Sequence, residues 1–289
     1  MQKEFTPFKV DNQILVTGGS KGLGLKVVLE LNRKGIPCVI FSRNPISDAN
    51  QNLILKNSSC KNTVILGDVG NEKDVKELFV EMAKKSIQLS GAVHCAAILG
   101  ELGSIENLSI KKWHETVRTN LHGTFHVLQE CVRTFKLNGS GNFVALSGGG
   151  ATDPRPKILP YAATKTAIVR LIESVAADNR NSGLTFNCVA PGILPTEMNM
   201  EAINLGKGIL EDDYLAKISK AFVDNPEDSF LKPIKLICDL VLGKMPHLNG
   251  KIISAQWDSL DFENFLELEE SMYTLRRVTP QTNDALNMK

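Results

Sequence analysis

Short apolar runs closed by turn residues alternate along this chain with longer stretches whose apolar positions recur at helical spacing. QILVTGG, CVIFSR, TVILGDV, GAVHCAA, GNFVALSG and LTFNCVAPG are such runs. Each predicts a strand buried on both faces, as the strands of a parallel sheet are. Between them, Gly22–Lys34, Glu72–Lys85, Lys111–Phe135 and Tyr161–Asn181 predict helices; in the first, Val27, Val28 and Leu31 share one face. GKIISAQ predicts a last strand. Strand and helix in alternation predict the α/β class, a doubly wound parallel sheet with right-handed crossovers. We read residues 1–257 as one domain, with Glu197–Lys232 as a lid over its cleft, and residues 258–289 as a charged C-terminal extension. Within the extension, ENFLELEESMYTLRR has the pattern of a terminal helix.

Composition narrows the setting. The 289 residues are 43% hydrophobic and 22% charged, with a net charge of +1. That balance gives no field to draw nucleic acid or an anionic membrane surface. No apolar run reaches membrane-spanning length, and MQKEFTPFKV lacks a signal peptide's apolar stretch, so a cytoplasmic protein is expected. Cys38, Cys60, Cys95, Cys131, Cys188 and Cys238 are scattered, several within apolar runs, which reads as free thiols in a reducing compartment.

The chemistry begins at LVTGGSKGLGLKVVLEL, which sets Gly18, Gly22 and Gly24 between the first strand and the first helix. Glycines there allow positive φ and let backbone approach a pyrophosphate, with the helix N-terminus facing the negative charge. This is the dinucleotide-binding turn of a Rossmann sheet. A site for NAD commonly has a carboxylate ending the second strand to take the ribose 2′-OH. Here that place holds Ser42 and Arg43, in FSRN. Arg43 can fork onto a 2′-phosphate, and Lys21 in the glycine turn can reach the same group, so NADP(H) is expected over NAD(H).

The sequence resembles the short-chain dehydrogenase/reductase family. TGGSKGLG fits TGxxxGxG, YAATK fits YxxxK, PGILPT fits PGxxxT, and Asn120 in RTNLHGTF fits the family's helix asparagine. HCAA stands where the family has NNAG, and the likeness fades beyond Thr196. The resemblance implies cofactor contacts from Gly18, Ser20, Lys21, Gly22, Leu23, Gly24, Ser42, Arg43, Asp68, Val69, Ala96, Tyr161, Lys165, Pro191, Gly192, Ile193 and Thr196. Asp68 also reads as a turn residue or helix cap. The resemblance further implies that Lys165 holds the nicotinamide ribose and that Asn120 supports a water-linked proton path. It also favours a homodimer or homotetramer packed through Lys111–Phe135 and Tyr161–Asn181. The second of these, YAATKTAIVRLIESVAA, is apolar round more of its circumference than one sheet contact requires.

Tyr161 and Lys165, four residues apart, share one helix face. Carbonyl reduction needs a hydride on carbon and a proton on oxygen; the nicotinamide supplies one and a protein acid the other. A free phenol titrates near about pH 10; moving it down by roughly three units takes about 4 kcal/mol. One ammonium about 4 Å away at an effective dielectric near 20 supplies about that much. The expected catalytic set is Asn120, Ser147, Tyr161 and Lys165.

Ser147 is the open assignment. The family's usual serine-to-tyrosine spacing, counted back from Tyr161, lands on Gly148; counted forward from Asn120, it lands on Ser147. We take Ser147 as the carbonyl donor, with the glycines of LSGGG absorbing one extra loop residue. The rival register leaves the slot without a side chain, with Thr152 or water in its stead. His122 and His126, four apart, have no evident third ligand and read as packing residues, so no metal is expected. The expected function is therefore NADP(H)-dependent reduction of a small polar, carrier-linked or sugar-derived carbonyl, or oxidation of the matching alcohol, with Tyr161 as general acid/base. The alternatives are a non-catalytic NADP-sensing module and a dehydratase or epimerase of the same family.

Overall fold

The computed structural model describes residues 12–258 and 272–276. Among them, seven parallel strands form one sheet in the order β3-β2-β1-β4-β5-β6-β7. They are β1 (Asn12–Thr17), β2 (Cys38–Ser42), β3 (Thr63–Leu66), β4 (Gln88–His94), β5 (Gly141–Leu146), β6 (Leu184–Ala190) and β7 (Ile252–Ser254). The helices are α1 (Gly22–Arg33), α2 (Asp48–Asn57), α3 (Glu72–Lys84), α4 (Ile110–Val117), α5 (Gly123–Asn138), α6 (Leu159–Asp178), α7 (Glu197–Gly206), α8 (Asp212–Ala221) and α9 (Leu231–Val241). The order reverses at β1, where β4 pairs on the side opposite β2. That switch opens a crevice beyond the carboxyl ends of the strands, the place where open α/β sheets bind ligands.

Both faces of the sheet are covered, which is why the inner strands read as unbroken apolar runs. On one face Val16, Ile40, Val93, Val144 and Val189 pack against Val27 and Val28 of α1, Ile54 of α2 and Ile237 of α9. On the other, Leu15, Phe41, Phe143 and Phe186 meet Leu78 of α3, Val127 of α5 and Ile168 and Ile172 of α6. The edge strand β3 differs: Val64 and Leu66 are exposed. At the opposite edge, residues 272–276 run beside β7. There the Ile252 N–H donates to the Tyr273 carbonyl at 2.7 Å, and the Leu275 N–H donates to Glu173 Oε1 at 2.6 Å. The first ladder donor of β7 is thereby covered rather than left open. Most of the terminal helix expected at ENFLELEESMYTLRR lies outside the described residues.

The helix expected over Lys111–Phe135 runs from Ile110 to Asn138, with a π-helical turn at Arg118–His122 separating α4 from α5. Such single-turn bulges aim particular side chains, and this one carries Asn120. A third apolar cluster, Leu99, Leu102, Ile158, Ala202, Leu210 and Ile218, fastens α7 and α8 onto the loops that follow β4 and β5. Tyr161, Ile193 and Tyr214 pack against it. The cleft is thus walled by the strand ends on one side and by α7–α8 on the other.

Candidate active site

The turn after β1 is built to receive an anion. Gly18 and Gly22 have φ of +65° and +56°, and a Cβ on Gly24 would lie 2.4 Å from the Gly18 carbonyl oxygen. Helix and strand can therefore meet this closely only through glycine. The N-terminus of α1 has no side-chain cap, and its first turn has no acidic residue. Its N–H groups and positive dipole end are left for a ligand's charge. Ser20 lends its carbonyl to Asn50 Nδ2 at 3.0 Å, and Leu23 is buried beneath the turn. These residues fit a dinucleotide's pyrophosphate.

The groups expected around the ribose and adenine lie along the same crevice. Ser42 Oγ donates to the Asn44 carbonyl at 2.7 Å, and Arg43 is exposed at the end of β2. Lys21 makes a short ion pair with Glu197 at the start of α7. Asp68 Oδ1 accepts from the Gly70 N–H at 2.8 Å, and Oδ2 accepts from Arg118 Nη1 at 3.1 Å, so its turn role is filled. The Val69 carbonyl bonds His126 Nδ1 at 3.0 Å. Ala96 N–H donates to Thr17 Oγ1 at 3.3 Å, directly under Gly18. Gly192 has φ of +85° against Gln256, beside Pro191 and Ile193, and Thr196 caps α7 through Oγ1. A Cβ at Gly22 would come within 3.8 Å of Thr196, so the glycine turn and the segment after β6 face each other across the crevice.

The catalytic end is set by α6. Lys165 is 4% exposed, and its ammonium donates to the Leu146 carbonyl at 2.8 Å, 5.4 Å from the centre of the Tyr161 ring. Burial, against weaker support from Cys188 and Cys95, pushes Lys165 down to about 8. Burial also raises the Tyr161 phenol, with a smaller push from Tyr214. At neutral pH the tyrosine is therefore protonated. Asn120 is fully buried: its Nδ2 donates to the Ile98 carbonyl at 2.9 Å and to Thr164 Oγ1 at 3.2 Å, and its Oδ1 accepts from the Ile98 N–H at 2.8 Å. Asn120 thus joins α6 to the loop after β4.

The structure brings Gly148 to the tyrosine. A Cβ there would lie 2.8 Å from Tyr161 Oη. Ser147, one residue earlier, is 1% exposed and its Oγ has no hydrogen-bond partner. Its N–H still completes the ladder to the Val189 carbonyl, so it keeps strand geometry, and consecutive residues there point to opposite sides. The Thr152 hydroxyl, farther along the loop, donates to Asp153 at 3.0 Å.

His94 escaped the site reading of the sequence; its signal was the departure of HCAA from NNAG. The ring is buried and stacks on Phe143, and Nδ1 lies 2.9 Å from Thr17 Oγ1. Nε2 is buried without a partner. Burial, helped by Lys165, pushes the imidazole down to about 3.

This constellation and the comparisons with known proteins agree. Residues 12–204 match the short chain dehydrogenase family. The chain belongs to that family. A 3β-hydroxysteroid dehydrogenase of Mediterraneibacter gnavus is 30% identical over 178 residues, 62% of this chain and 64% of that protein, so the match spans less than two thirds of that relative. A 3-oxoacyl-(acyl-carrier-protein) reductase of Staphylococcus aureus is 26% identical over 248 residues, 84% of this chain and 98% of its own. In structure, levodione reductase superposes with a TM-score of 0.76 at 19% identity, covering 89% of this chain and 99% of its own, which speaks for the fold. The chain shares its sheet and its glycine turn with a family of dehydrogenases and reductases. No helix among its described residues is long and apolar enough to cross a membrane.

His94 gives this dehydrogenase an acid-side liability. Below the ordinary value of 6.5 the unfolded chain takes up a proton that the folded chain refuses until about pH 3, so stability falls as pH drops through that window. At about pH 5 the loss is about 2 kcal/mol. The unfolding free energy lost between pH 7 and pH 5, measured by urea titration, should be smaller in a His94→Asn variant by about that amount. Equal acid-side losses in the two proteins would contradict a neutral, buried His94.

Proposed function

We propose that this short-chain dehydrogenase reduces a carbonyl with NADPH, Tyr161 giving the proton. The observation that carries the reading is the Tyr161–Lys165 pair on α6, held beside a side-chain-free glycine run at the strand ends. When bound, the nicotinamide supplies a hydride to the carbonyl carbon. Tyr161 Oη donates its proton to the carbonyl oxygen, so the C=O becomes CH–OH and the tyrosine is left as phenolate. A phenol kept protonated by burial is in the correct state for this step near neutrality. Below about pH 8 the Lys165 ammonium stabilises the phenolate as it forms. Only one of its three N–H donors is spent on Leu146, leaving others for ribose hydroxyls. The Asn120 carbonyl accepts from Thr124 Oγ1 at 2.6 Å, on the side of α6 where a water-linked path would reprotonate the tyrosine.

The placement of Gly148 supports a site in which Tyr161 works without the usual serine and Ser147 is a strand-end residue. Tyr161→Phe should lower turnover on the order of 10²–10⁴-fold while leaving the dissociation constant of the cofactor nearly unchanged. Ser147→Ala in the same assay should cost less than about tenfold, whereas loss of a preorganised oxyanion donor costs about 10²–10³-fold. Wild-type turnover in Tyr161→Phe would end the mechanism; a hundredfold loss in Ser147→Ala would restore the serine.

For the cofactor, the absence of a carboxylate at the end of β2 and the exposed guanidinium of Arg43 support NADPH over NADH. Lys21 joins Arg43 on the 2′-phosphate by exchanging Glu197 for it, since an exposed ion pair of this kind is worth only about 0–1 kcal/mol. Arg43→Asp should raise the dissociation constant of NADPH at least about tenfold more than that of NADH. Equal changes for the two cofactors, measured by fluorescence titration, would refute the assignment.

The family usually oligomerises, and for this chain we assign the contact to α5 and α6. Phe125 is 47% exposed and sits in an apolar groove with Leu121, His122, His126 and Leu171. A second copy of the chain covers this groove in a homodimer. Phe125→Glu should convert the particle to a monomer in sedimentation at micromolar concentration. A wild-type protein that is already monomeric would remove the proposal.

A further inference from the structure

The loop between β5 and α6 brings a cation to the glycine run. A Cβ on Gly149 would lie 3.2 Å from Arg155 Nε and 3.3 Å from its Nη2, so the guanidinium rests on bare backbone one residue beyond the position facing Tyr161 Oη. Its carbon lies 5.6 Å from the centre of the Tyr214 ring, on α8. Attraction to the face of an aromatic ring spends none of a guanidinium's N–H donors on a hydrogen-bond acceptor. Among the described residues no carboxylate pairs with Arg155, and no acceptor takes any of its side-chain donors. The nearest loop neighbours are otherwise engaged: Asp153 takes the Thr152 hydroxyl, and the Lys157 ammonium bonds Ser104 on the opposite loop. A forked cation with its donors unspent, fixed by an aromatic ring and floored by glycine, has the form of a carboxylate receptor.

The ligand follows from what the two groups can hold. The tyrosine hydroxyl faces Gly148, and the guanidinium faces Gly149, the next residue. Tyr161 and Tyr214 pack on the same apolar cluster, and Arg155 lies over Tyr214, so both donors border one cleft. A molecule presenting a carbonyl to one and an acid to the other is an oxo acid. We infer that Arg155 is the specificity-determining residue of this dehydrogenase and that its substrate is a small oxo acid, bound through its carboxylate. The inference rests on the carbonyl-reductase reading above and gives it a substrate class.

Two measurements separate this inference from that reading. In the first, the full chain with saturating NADPH, and separately NADH, is offered acetoacetate against methyl acetoacetate, and pyruvate against methyl pyruvate. Wild type should favour the acid of at least one pair by about 10-fold to 10²-fold in kcat/KM. Arg155→Gln should erase that preference mainly through KM, and Arg155→Lys should recover part of it. A wild-type preference for the esters, or an equal fall on acid and ester in Arg155→Gln, overturns the inference while leaving the reductase reading in place. The second measurement does not need turnover. Acetoacetate or pyruvate, with the cofactor bound, should raise the melting temperature of wild type and of Tyr161→Phe but not of Arg155→Gln. If neither acid stabilises the protein, or if Arg155→Gln is stabilised as wild type is, the carboxylate site is excluded. If the acids stabilise through Arg155 and no carbonyl is reduced, the site stands and the reductase reading falls.

Discussion

A buried ammonium holds the catalytic end of this molecule together. Lys165 has almost no contact with water, and an uncompensated charge there would cost several kcal/mol. Its bond to the carbonyl of Leu146, the last residue of β5, meets part of that cost. The bond also fixes α6 to β5 at the level where the glycine run begins. Because Tyr161 precedes Lys165 by one helical turn, fixing the lysine fixes the tyrosine over Gly148. The same helix face carries Thr164, which meets Asn120, and Asn120 grips the backbone of Ile98 through both ends of its amide. The π turn at Arg118–His122 belongs to this chain of dependence, since it carries Asn120 inward between α4, which packs on α6, and α5, which packs on β4 and β5.

Burial has opposite effects on the two partners that the mechanism pairs. It lowers the lysine and raises the tyrosine, so the state favoured near neutrality is an ammonium that retains most of its charge beside an un-ionised phenol. The simple estimate from one charge at about 4 Å has the lysine drawing the phenol down in the resting protein. In the folded chain desolvation outweighs that attraction. In the proposed reduction the ammonium's influence is felt instead as charge develops on the phenol oxygen, when the two states of the tyrosine differ most. Such an arrangement suits a group whose task is to give up a proton.

Much of this was legible in the sequence, for physical reasons that vary by element. The inner strands were readable because helices cover both of their faces, which forces near-continuous apolar runs such as CVIFS. The glycine turn was readable because only glycine tolerates the positive φ and the contact between Gly24 and Gly18. Helix α2 went unread: DANQNLILKN is mostly polar and its apolar residues define no clear face, so tertiary packing through Ile54 decides it. The break at Arg118–His122 left no trace in a pattern that continues smoothly from Ile110 to Asn138. Ser147 and Gly148 differ in the direction each takes after a strand ends, and residue counting is blind to that. Glu197 lies 176 residues from Lys21, so nothing local announced their pairing.

The two pairings that escape the sequence have one property in common. At the glycine turn, Lys21 reaches Glu197 on α7; at the loop after β5, Arg155 lies over Tyr214 of α8. Each links a cation of the fixed strand-end loops to the helices that wall the cleft, and each lies where an anion is expected to bind. Neither contact is strong enough to hold the wall by itself, because exposed ion pairs and cation–π contacts are each worth about 1 kcal/mol or less. The wall is held by the apolar cluster around Leu102, Ala202, Leu210 and Ile218, which needs neither cation. This division lets a phosphate or a carboxylate displace Glu197 or claim the free edge of Arg155 while α7 and α8 stay packed. Ligand charge is then recognised by exchange of weak partners over a stable apolar support, and entry to the cleft does not require that support to unfold.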